Sequence, residues 1–217
     1  IADEDTLFQK NYSNEKIMQT LKGKPGTSVD LTVYRKSKDK IFELKMERGK
    51  VPLPSVESYY LMKKTIGYIK INRFSQTTYE EFELALNQLI SQGMKKMIID
   101  LRDNPGGYLI PAKQISNALL KKDQTIVITR SNVGEDEKSI ADGYGNFQEG
   151  DLVVLVNEQT ASASEIIAGA VQDNDRGWIV GRRTFGKGLV QQQMPLGGGD
   201  AVRLTIAKYF TPTGRSI

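Results

Sequence analysis

Two apolar strand-like segments with a helical segment between them constrain the fold of this chain most. The segment TIGYIKINRF alternates apolar and polar residues as a strand does, and KKMIIDL is typical of a buried strand. Between them, an apolar face at helical spacing runs from Phe82 to Leu89, and Thr78 with Glu81 fits a capping box. This order of strand, helix and strand predicts an α/β layer architecture. We expect residues 60–217 to form one core domain.

A second strand and helix meet at a run of small and hydroxyl residues. The segment DLVVLV is typical of a buried strand, and NEQTASASEIIAGAV follows it as a turn and a helix. A serine such as Ser162 at this junction would lie at a helix N-terminus, where unpaired N–H groups favour negative charge. Serine at such a position is more often a helix cap than a nucleophile. The junction alone therefore leaves both interpretations open.

The absence of histidine and cysteine decides which bases could activate a serine. Both counts are zero, which excludes a Ser-His-Asp triad, a thiol nucleophile, cysteine-rich zinc sites and disulfides. Carboxylates, tyrosine and lysine remain, and Lys187 lies between glycines in TFGKG. A lysine amine with its ordinary pKa of about 10.4 is charged near neutral pH, and burial in an apolar pocket lowers it. A lysine base therefore requires Lys187 to be buried.

A glycine turn follows the strand KKMIIDL. Gly106 and Gly107 in LRDNPGGYL would let a substrate approach the backbone closely, and their N–H groups could point at an oxyanion. A tight Asn-Pro-Gly-Gly turn without any catalytic role is the alternative.

Three motifs taken together resemble the carboxyl-terminal processing peptidases, also called tail-specific proteases. These motifs are TASASEI, DNDRGWIVGRRTFGKGLVQ and LRDNPGG. The resemblance covers residues 66–217 well and the first fifty residues more loosely. It implies a crotonase-like and Clp-protease-like core. It also implies that Ser162 is the nucleophile, that Lys187 is the general base and that Gln191 orients the lysine.

The same resemblance implies further site residues. The backbone N–H groups of Gly107 and Ala163 would form an oxyanion hole, with Gly106 as the other candidate in the turn. Asp173 would be a supporting residue that does not react. The family needs no metal or organic cofactor, so we expect none.

Residues 1–50 are expected to form a separate small module. The segment SNEKIMQTL predicts a helix, and TSVDLTVYR with KIFELKME predicts an antiparallel pair of strands. Residues 11–47 resemble the second half of a PDZ domain, which binds a peptide as an added strand. We expect an incomplete PDZ-like module without the carboxylate-holding loop, and a small α+β packing module is the equal alternative. Two prolines in VPLPSVESYY predict a linker over residues 51–59.

Charge and hydropathy patterns exclude several classes of partner. The chain carries 30 basic and 26 acidic residues that are interspersed, so we expect no nucleic acid. We expect no transmembrane segment, since no apolar run of about 18 residues exists. The start IADEDT differs from a signal peptide, so we expect a fragment or a processed end. GRRTFGKG lacks the Ser or Thr of a phosphate-binding loop, which argues against nucleotide binding.

These observations predict a serine endopeptidase that cleaves protein substrates near flexible C-terminal tails through an acyl-enzyme. A non-catalytic peptide-binding protein with a silenced site and a crotonase-like acyl-CoA enzyme are the alternatives. The resemblance further implies an extracytoplasmic location, periplasmic or at the cell surface, and homo-oligomers are one expectation for the assembly.

Overall fold

The structure is a computed structural model that describes residues 7, 12–49, 53–131 and 134–217. The chain divides into two compact units, Ile1–Leu53 and Pro54–Ile217, which we call the amino-terminal unit and the carboxyl-terminal unit. In the described ranges no helix has both the length and the apolar character needed to cross a bilayer.

The amino-terminal unit contains one helix and one pair of strands. Its elements are α1 (Asn14–Leu21), β1 (Ser28–Arg35) and β2 (Lys40–Glu47). Ser13 caps α1, because its Oγ accepts a hydrogen bond from the Lys16 N–H at 3.2 Å. The two strands pair antiparallel, as their alternating residues predict. The helix has no buried residue, so this unit has little apolar core of its own.

The carboxyl-terminal unit is built around a five-stranded sheet. Its first elements are β3 (Val56–Met62), β4 (Ile66–Ile71), α2 (Thr78–Ser91), β5 (Lys96–Asp100) and α3 (Leu109–Leu119). The next elements are β6 (Thr125–Ser131), β7 (Glu137–Ile140), β8 (Asp151–Val156), α4 (Ala163–Asp173) and β9 (Trp178–Gly181). The sheet order is β3-β4-β5-β8-β9. β3 is antiparallel to β4, and the other neighbours are parallel, so the predicted mixed α/β class is confirmed.

A second sheet is formed by the end of the chain. The last strands are β10 (Leu189–Gly197) and β11 (Asp200–Phe210). The order is β10-β11-β6-β7, and all neighbours are antiparallel. β10 is therefore an edge strand, and it directly follows the predicted base Lys187.

Helix α4 contributes to two hydrophobic clusters. Ile167 and Val171 pack in the cluster that contains β4, β5 and β8, whereas Ile166 and Ala170 pack with residues of β6 and β11. The apolar sequence IIAGAV fits this place, because a helix that is apolar all round is a buried helix. Packing on two sides holds the start of α4, and hence Ser162, in a fixed position.

Two local predictions differ from the structure, and one strand was not predicted. β3 begins at Val56, inside the segment 51–59 predicted as a linker, whose residues 51 and 52 lie outside the described ranges. The capping box of Thr78 and Glu81 is wrong, because Glu81 Oε2 accepts from the N–H groups of Ser55 and Val56 at 2.6 and 2.9 Å. The strand that was not predicted is β7, which lies in the polar, glycine-containing region 131–150 and pairs with β6 despite its lack of apolar alternation.

Candidate active site

Ser162 lies where the loop after β8 enters α4. Its backbone has φ of 57° and ψ of −116°, a conformation that residues other than glycine rarely adopt. Such strain persists only where the surrounding structure holds it, and it is concentrated at functional sites. A strained turn between a strand and a helix is also how α/β-hydrolases expose a nucleophilic serine. The neighbouring Ser164 is buried, and its Oγ donates to the Asn104 carbonyl at 3.2 Å, so Ser162 is the serine available for chemistry.

Glu165 connects the segment of Ser162 to the segment of Lys187. Its Oε2 accepts from the backbone N–H groups of Ser162 and Lys187, each at 2.8 Å. Its Oε1 accepts from the Gly186 N–H at 2.7 Å. The residue is only 5% exposed, so these bonds form in a place largely closed to water. The sequence analysis missed Glu165, although its position three residues after a capping serine is a known helix-start signal.

Asn104 holds the glycine turn against the serine loop. Its side chain donates to the Ile71 carbonyl at 2.9 Å and accepts from the Gly106 N–H at 2.9 Å. Its carbonyl accepts from the Ala161 N–H at 3.0 Å. A Cβ on Gly106 would lie 2.8 Å from Ser162 Cβ, so glycine is needed for this close approach. Asn104 was not singled out from the sequence, because its role depends on contacts with segments more than 30 residues away.

Two backbone N–H groups near Ser162 are available to donate hydrogen bonds to a ligand. Within the described residues, the N–H groups of Gly107 and Ala163 have no hydrogen-bond partner. Ala163 is the first residue of α4, where the helix dipole also favours negative charge. The Gly106 N–H is bound to Asn104, which favours Gly107 over Gly106 as the donor from the turn.

The predicted serine, lysine and glutamine line one cavity of about 480 Å³. Its polar side chains belong to Ser162, Lys187, Gln191, Gln193 and Arg203. Its apolar and aromatic wall is formed by Phe74, Tyr108, Leu109, Leu189, Val190 and Tyr209, and Gly107 also contributes. The wall residues come from the segment after β4, from the glycine turn and the start of α3, and from β10 and β11. The site therefore lies between the end of the first sheet and the edge of the second.

The prediction that Lys187 is buried is wrong. The residue is partly exposed, and no hydrogen bond joins its Nζ to Ser162 Oγ within the described residues. The reason is the wall of the cavity, because Leu189, Gln191 and Arg203 are themselves exposed and do not close the site. Gln191 likewise makes no side-chain hydrogen bond in the part of the chain that the structure describes.

Asp173 lies at the other end of α4 and does not line the cavity. Its Oδ2 accepts from the Thr213 N–H at 3.1 Å, and its Oδ1 pairs with Arg215. Burial alone would raise the pKa of Asp173, but hydrogen bonds from Thr211, Thr213 and Arg215 outweigh it and lower the pKa. These contacts hold the chain end against α4, which is a structural role.

A buried carboxylate supports the strand end before the glycine turn. Asp100 is 1% exposed and accepts hydrogen bonds from Arg102, from the Tyr68 hydroxyl at 2.7 Å and from Lys70 at 3.5 Å. Burial alone would raise the pKa of Asp100, but these partners outweigh it and lower the pKa to about 2. Burial and the hydrogen bond to Asp100 raise the pKa of Tyr68 to about 12. At neutral pH Asp100 is therefore ionised and Tyr68 is neutral, and the hydrogen bonds of Asp100 anchor the turn.

Comparison with known proteins places this architecture in a family. The sequence model of Peptidase family S41 matches residues 65–217. A carboxyl-terminal-processing protease of Picosynechococcus sp. is 40% identical over 215 residues, which is 98% of this chain and 51% of that protein. A carboxy-terminal-processing protease of Bartonella bacilliformis is 38% identical over 209 residues, which is 94% of this chain and 47% of that protein.

A comparison with solved structures also finds a C-terminal processing protease. The photosystem II D1 C-terminal processing protease matches with a TM-score of 0.68 and 29% sequence identity, covering 100% of this chain and 58% of that one. The chain thus spans about half the length of the curated relatives it matches. The match of the family model over residues 65–217 includes the serine junction, the lysine segment and the glycine turn. This chain belongs to Peptidase family S41.

Proposed function

We propose that this chain is a serine endopeptidase that hydrolyses protein substrates near their C-termini, with Ser162 as nucleophile and Lys187 as general base. The observation that carries the proposal is the strained turn at Ser162, with the unpaired N–H groups of Gly107 and Ala163 beside it and Lys187 in the same cavity. A nucleophile, a base and an oxyanion hole are the parts that acyl transfer requires. The names of the relatives, which are C-terminal processing proteases, support the same substrate class.

In the acylation step, Ser162 Oγ attacks the carbonyl carbon of the scissile peptide bond and its proton passes to Lys187 Nζ. The N–H groups of Gly107 and Ala163 donate to the oxyanion of the tetrahedral intermediate. When the C–N bond breaks, Lys187 gives the proton to the leaving amine and an ester remains on Ser162. A water molecule then attacks this ester, Lys187 takes and returns a proton, and the carboxylic acid leaves with Ser162 restored.

This chemistry requires Lys187 to approach Ser162. A base acts when it lies about 2.6 to 3.2 Å from the atom that gives the proton, and such contacts often tighten only when substrate binds. A bound peptide that covers the open wall of the cavity would also exclude water from the lysine. In this proposal Gln191, which lines the same cavity, orients the amine once it moves inward.

The amino-terminal unit belongs to the same proposal as a partial PDZ-like module. Its helix and its antiparallel strands are the elements that a PDZ domain uses to bind a peptide as an added strand. Its apolar residues Ile41, Leu44 and Met46 are exposed, so this unit offers apolar surface for contact. Family membership supports an extracytoplasmic location for such a protease.

Cleavage of an unstructured protein by five forms of the chain tests the proposal. Wild type should cleave it, and Ser162→Ala and Lys187→Arg should not, because alanine lacks the nucleophile and a guanidinium cannot accept the serine proton. Ser91→Ala and Lys95→Arg serve as matched controls, since both residues are exposed and lie outside the cavity. Circular dichroism checks that all variants fold. Cleavage by Ser162→Ala at the wild-type rate would overturn the proposal.

The same variants separate the alternatives. A crotonase-like acyl-CoA enzyme would share a backbone oxyanion hole but would not depend on Ser162 or Lys187. A silenced peptide-binding protein would bind peptides in wild type and in both variants without cleaving them. Two observations on the described residues fit such silencing: Lys187 is partly exposed, and no hydrogen bond joins its Nζ to Ser162 Oγ.

A further inference from the structure

The cavity at Ser162 carries positive charge without a compensating acid. The charged side chains that line it are Lys187 and Arg203, and no carboxylate is among the lining residues. In the part of the chain that the structure describes, the guanidinium of Arg203 makes no hydrogen bond and no ion pair. A lysine that acts as base must be neutral when it does so, which leaves Arg203 as the permanent charge of the cavity.

Arg203 has a defined place relative to the reacting groups. It lies on β11 directly opposite Gln193 of β10, and Gln191 lies opposite Thr205. Gln191 and Gln193 both line the cavity. Two strand positions span about 7 Å, so Arg203 lies about two peptide residues further along the cavity than Gln191. Because the arginine side chain is long, its guanidinium can contact a group that lies further along the cavity than the Arg203 backbone.

We infer that Arg203, with Gln193 beside it, binds a carboxylate of the peptide substrate about two to four residues from the scissile bond. This inference rests on the proposed peptidase function, whose substrate it specifies. The carboxylate has two sources, an Asp or Glu side chain or the C-terminal carboxylate of a short leaving fragment. Both present the same planar pair of oxygens, which the guanidinium of arginine binds with two parallel hydrogen bonds.

The size of the effect follows from the exposure of the site. A hydrogen bond to a charged group contributes more than one between neutral groups, but Arg203 is exposed and water competes for it. We therefore expect the kcat/KM of an acidic peptide to be about tenfold higher than that of its neutral twin. We expect the affinity of the acidic peptide to be higher by about the same factor.

A peptide series tests the inference and distinguishes the two sources. One arm scans a single Asp through positions two to four on each side of the cleaved bond in an amidated peptide, with Asn as the neutral twin. The other arm keeps Asn and places a free or amidated C-terminus two to four residues beyond the bond. Wild type, Arg203→Gln and the control Arg183→Gln are compared, because Arg183 is exposed, makes no ion pair within the described residues and lies outside this cavity.

Binding of the same peptides is also measured by fluorescence anisotropy with three inactive proteins: Ser162→Ala alone, Ser162→Ala with Arg203→Gln, and Ser162→Ala with Arg183→Gln. We expect the acidic preference to fall to about one in Arg203→Gln and to persist in Arg183→Gln, in cleavage and in binding. Equal kcat/KM of acidic and neutral twins with wild type, together with equal binding to Ser162→Ala protein, would overturn the inference while leaving the peptidase proposal intact. A binding preference lost in Arg203→Gln but no cleavage of any peptide would support Arg203 and contradict the peptidase proposal.

Discussion

Replacing Glu165 by glutamine should weaken the connection between the serine and lysine segments. The carboxylate accepts three backbone N–H groups, two on Oε2 and one on Oε1. A glutamine of the same shape can keep its oxygen at the position of Oε2, and its NH₂ group then faces the Gly186 N–H. The variant therefore loses at least one charge-assisted hydrogen bond and leaves a donor without a partner.

The expected loss can be worked from these contacts. One hydrogen bond to a charged group contributes about 1.5 to 3 kcal/mol, so the free energy of unfolding of Glu165→Gln should fall by about that amount. Glu165→Ala removes all three, and the sum of about 4.5 to 9 kcal/mol is an upper limit, since water enters the site. Because total stability is about 5 to 15 kcal/mol, the alanine variant could unfold, and glutamine is the informative change.

The effect of Glu165→Gln on reactivity follows from the position of Glu165 between the segments of Ser162 and Lys187. A displacement of about 1 Å at a reacting group can slow a reaction by about 100-fold. We expect Glu165→Gln to react with a fluorophosphonate about 10-fold to 100-fold more slowly than wild type, measured as a second-order rate constant beside denaturant unfolding. Glu158→Gln is the matched control, since Glu158 is exposed and pairs with Arg182. Wild-type reactivity and stability in Glu165→Gln would refute the positioning role.

Two other substitutions test the glycine turn: one removes the carboxylate that anchors it, and the other changes a glycine within it. Asp100→Asn should lower the free energy of unfolding by about 2 kcal/mol at pH 7, because a carboxyl whose pKa falls from 3.8 to about 2 on folding stabilises the fold above its unfolded pKa. This difference from wild type should shrink as the pH falls from about 5 towards 2, as denaturant titrations at each pH would measure, and a constant difference would contradict it. Gly107→Ala should reduce fluorophosphonate reactivity by about 100-fold or more, since φ is 146° and a Cβ would lie 2.0 Å from the Phe74 carbonyl oxygen. Gly197→Ala, at an open position of the β10–β11 turn, controls for the loss of a glycine at positive φ, and equal reactivity of the two variants would contradict the role of Gly107.

Much of the fold could be predicted from local patterns. The strands with apolar alternation and the helical face from Phe82 to Leu89 are found where the sequence places them, because burial on one face requires that spacing. The strand β7 was missed, because EKSI at a sheet edge has no apolar face to reveal it. The capping box failed because Glu81 bonds to a segment about 25 residues away, which no local pattern reports.

For the candidate site, the sequence predicted residues that the structure brings together, but it did not predict their geometry. The motifs identify Ser162, Lys187 and Gln191, and the structure brings these three to one cavity. The choice between Gly106 and Gly107 needed the hydrogen bond of Asn104, and Glu165 needed its contacts with Gly186 and Lys187. The exposure of the lysine depends on how β10 and β11 pack, which is a tertiary property.

The most direct test of the central claim is peptide mapping by mass spectrometry of the chain after reaction with a fluorophosphonate. The account predicts one adduct, on Ser162, and a loss of that adduct in folded Lys187→Arg protein. An adduct on Ser164 or on another serine, or full labelling of Ser162 in Lys187→Arg, would contradict the pairing of Ser162 with Lys187.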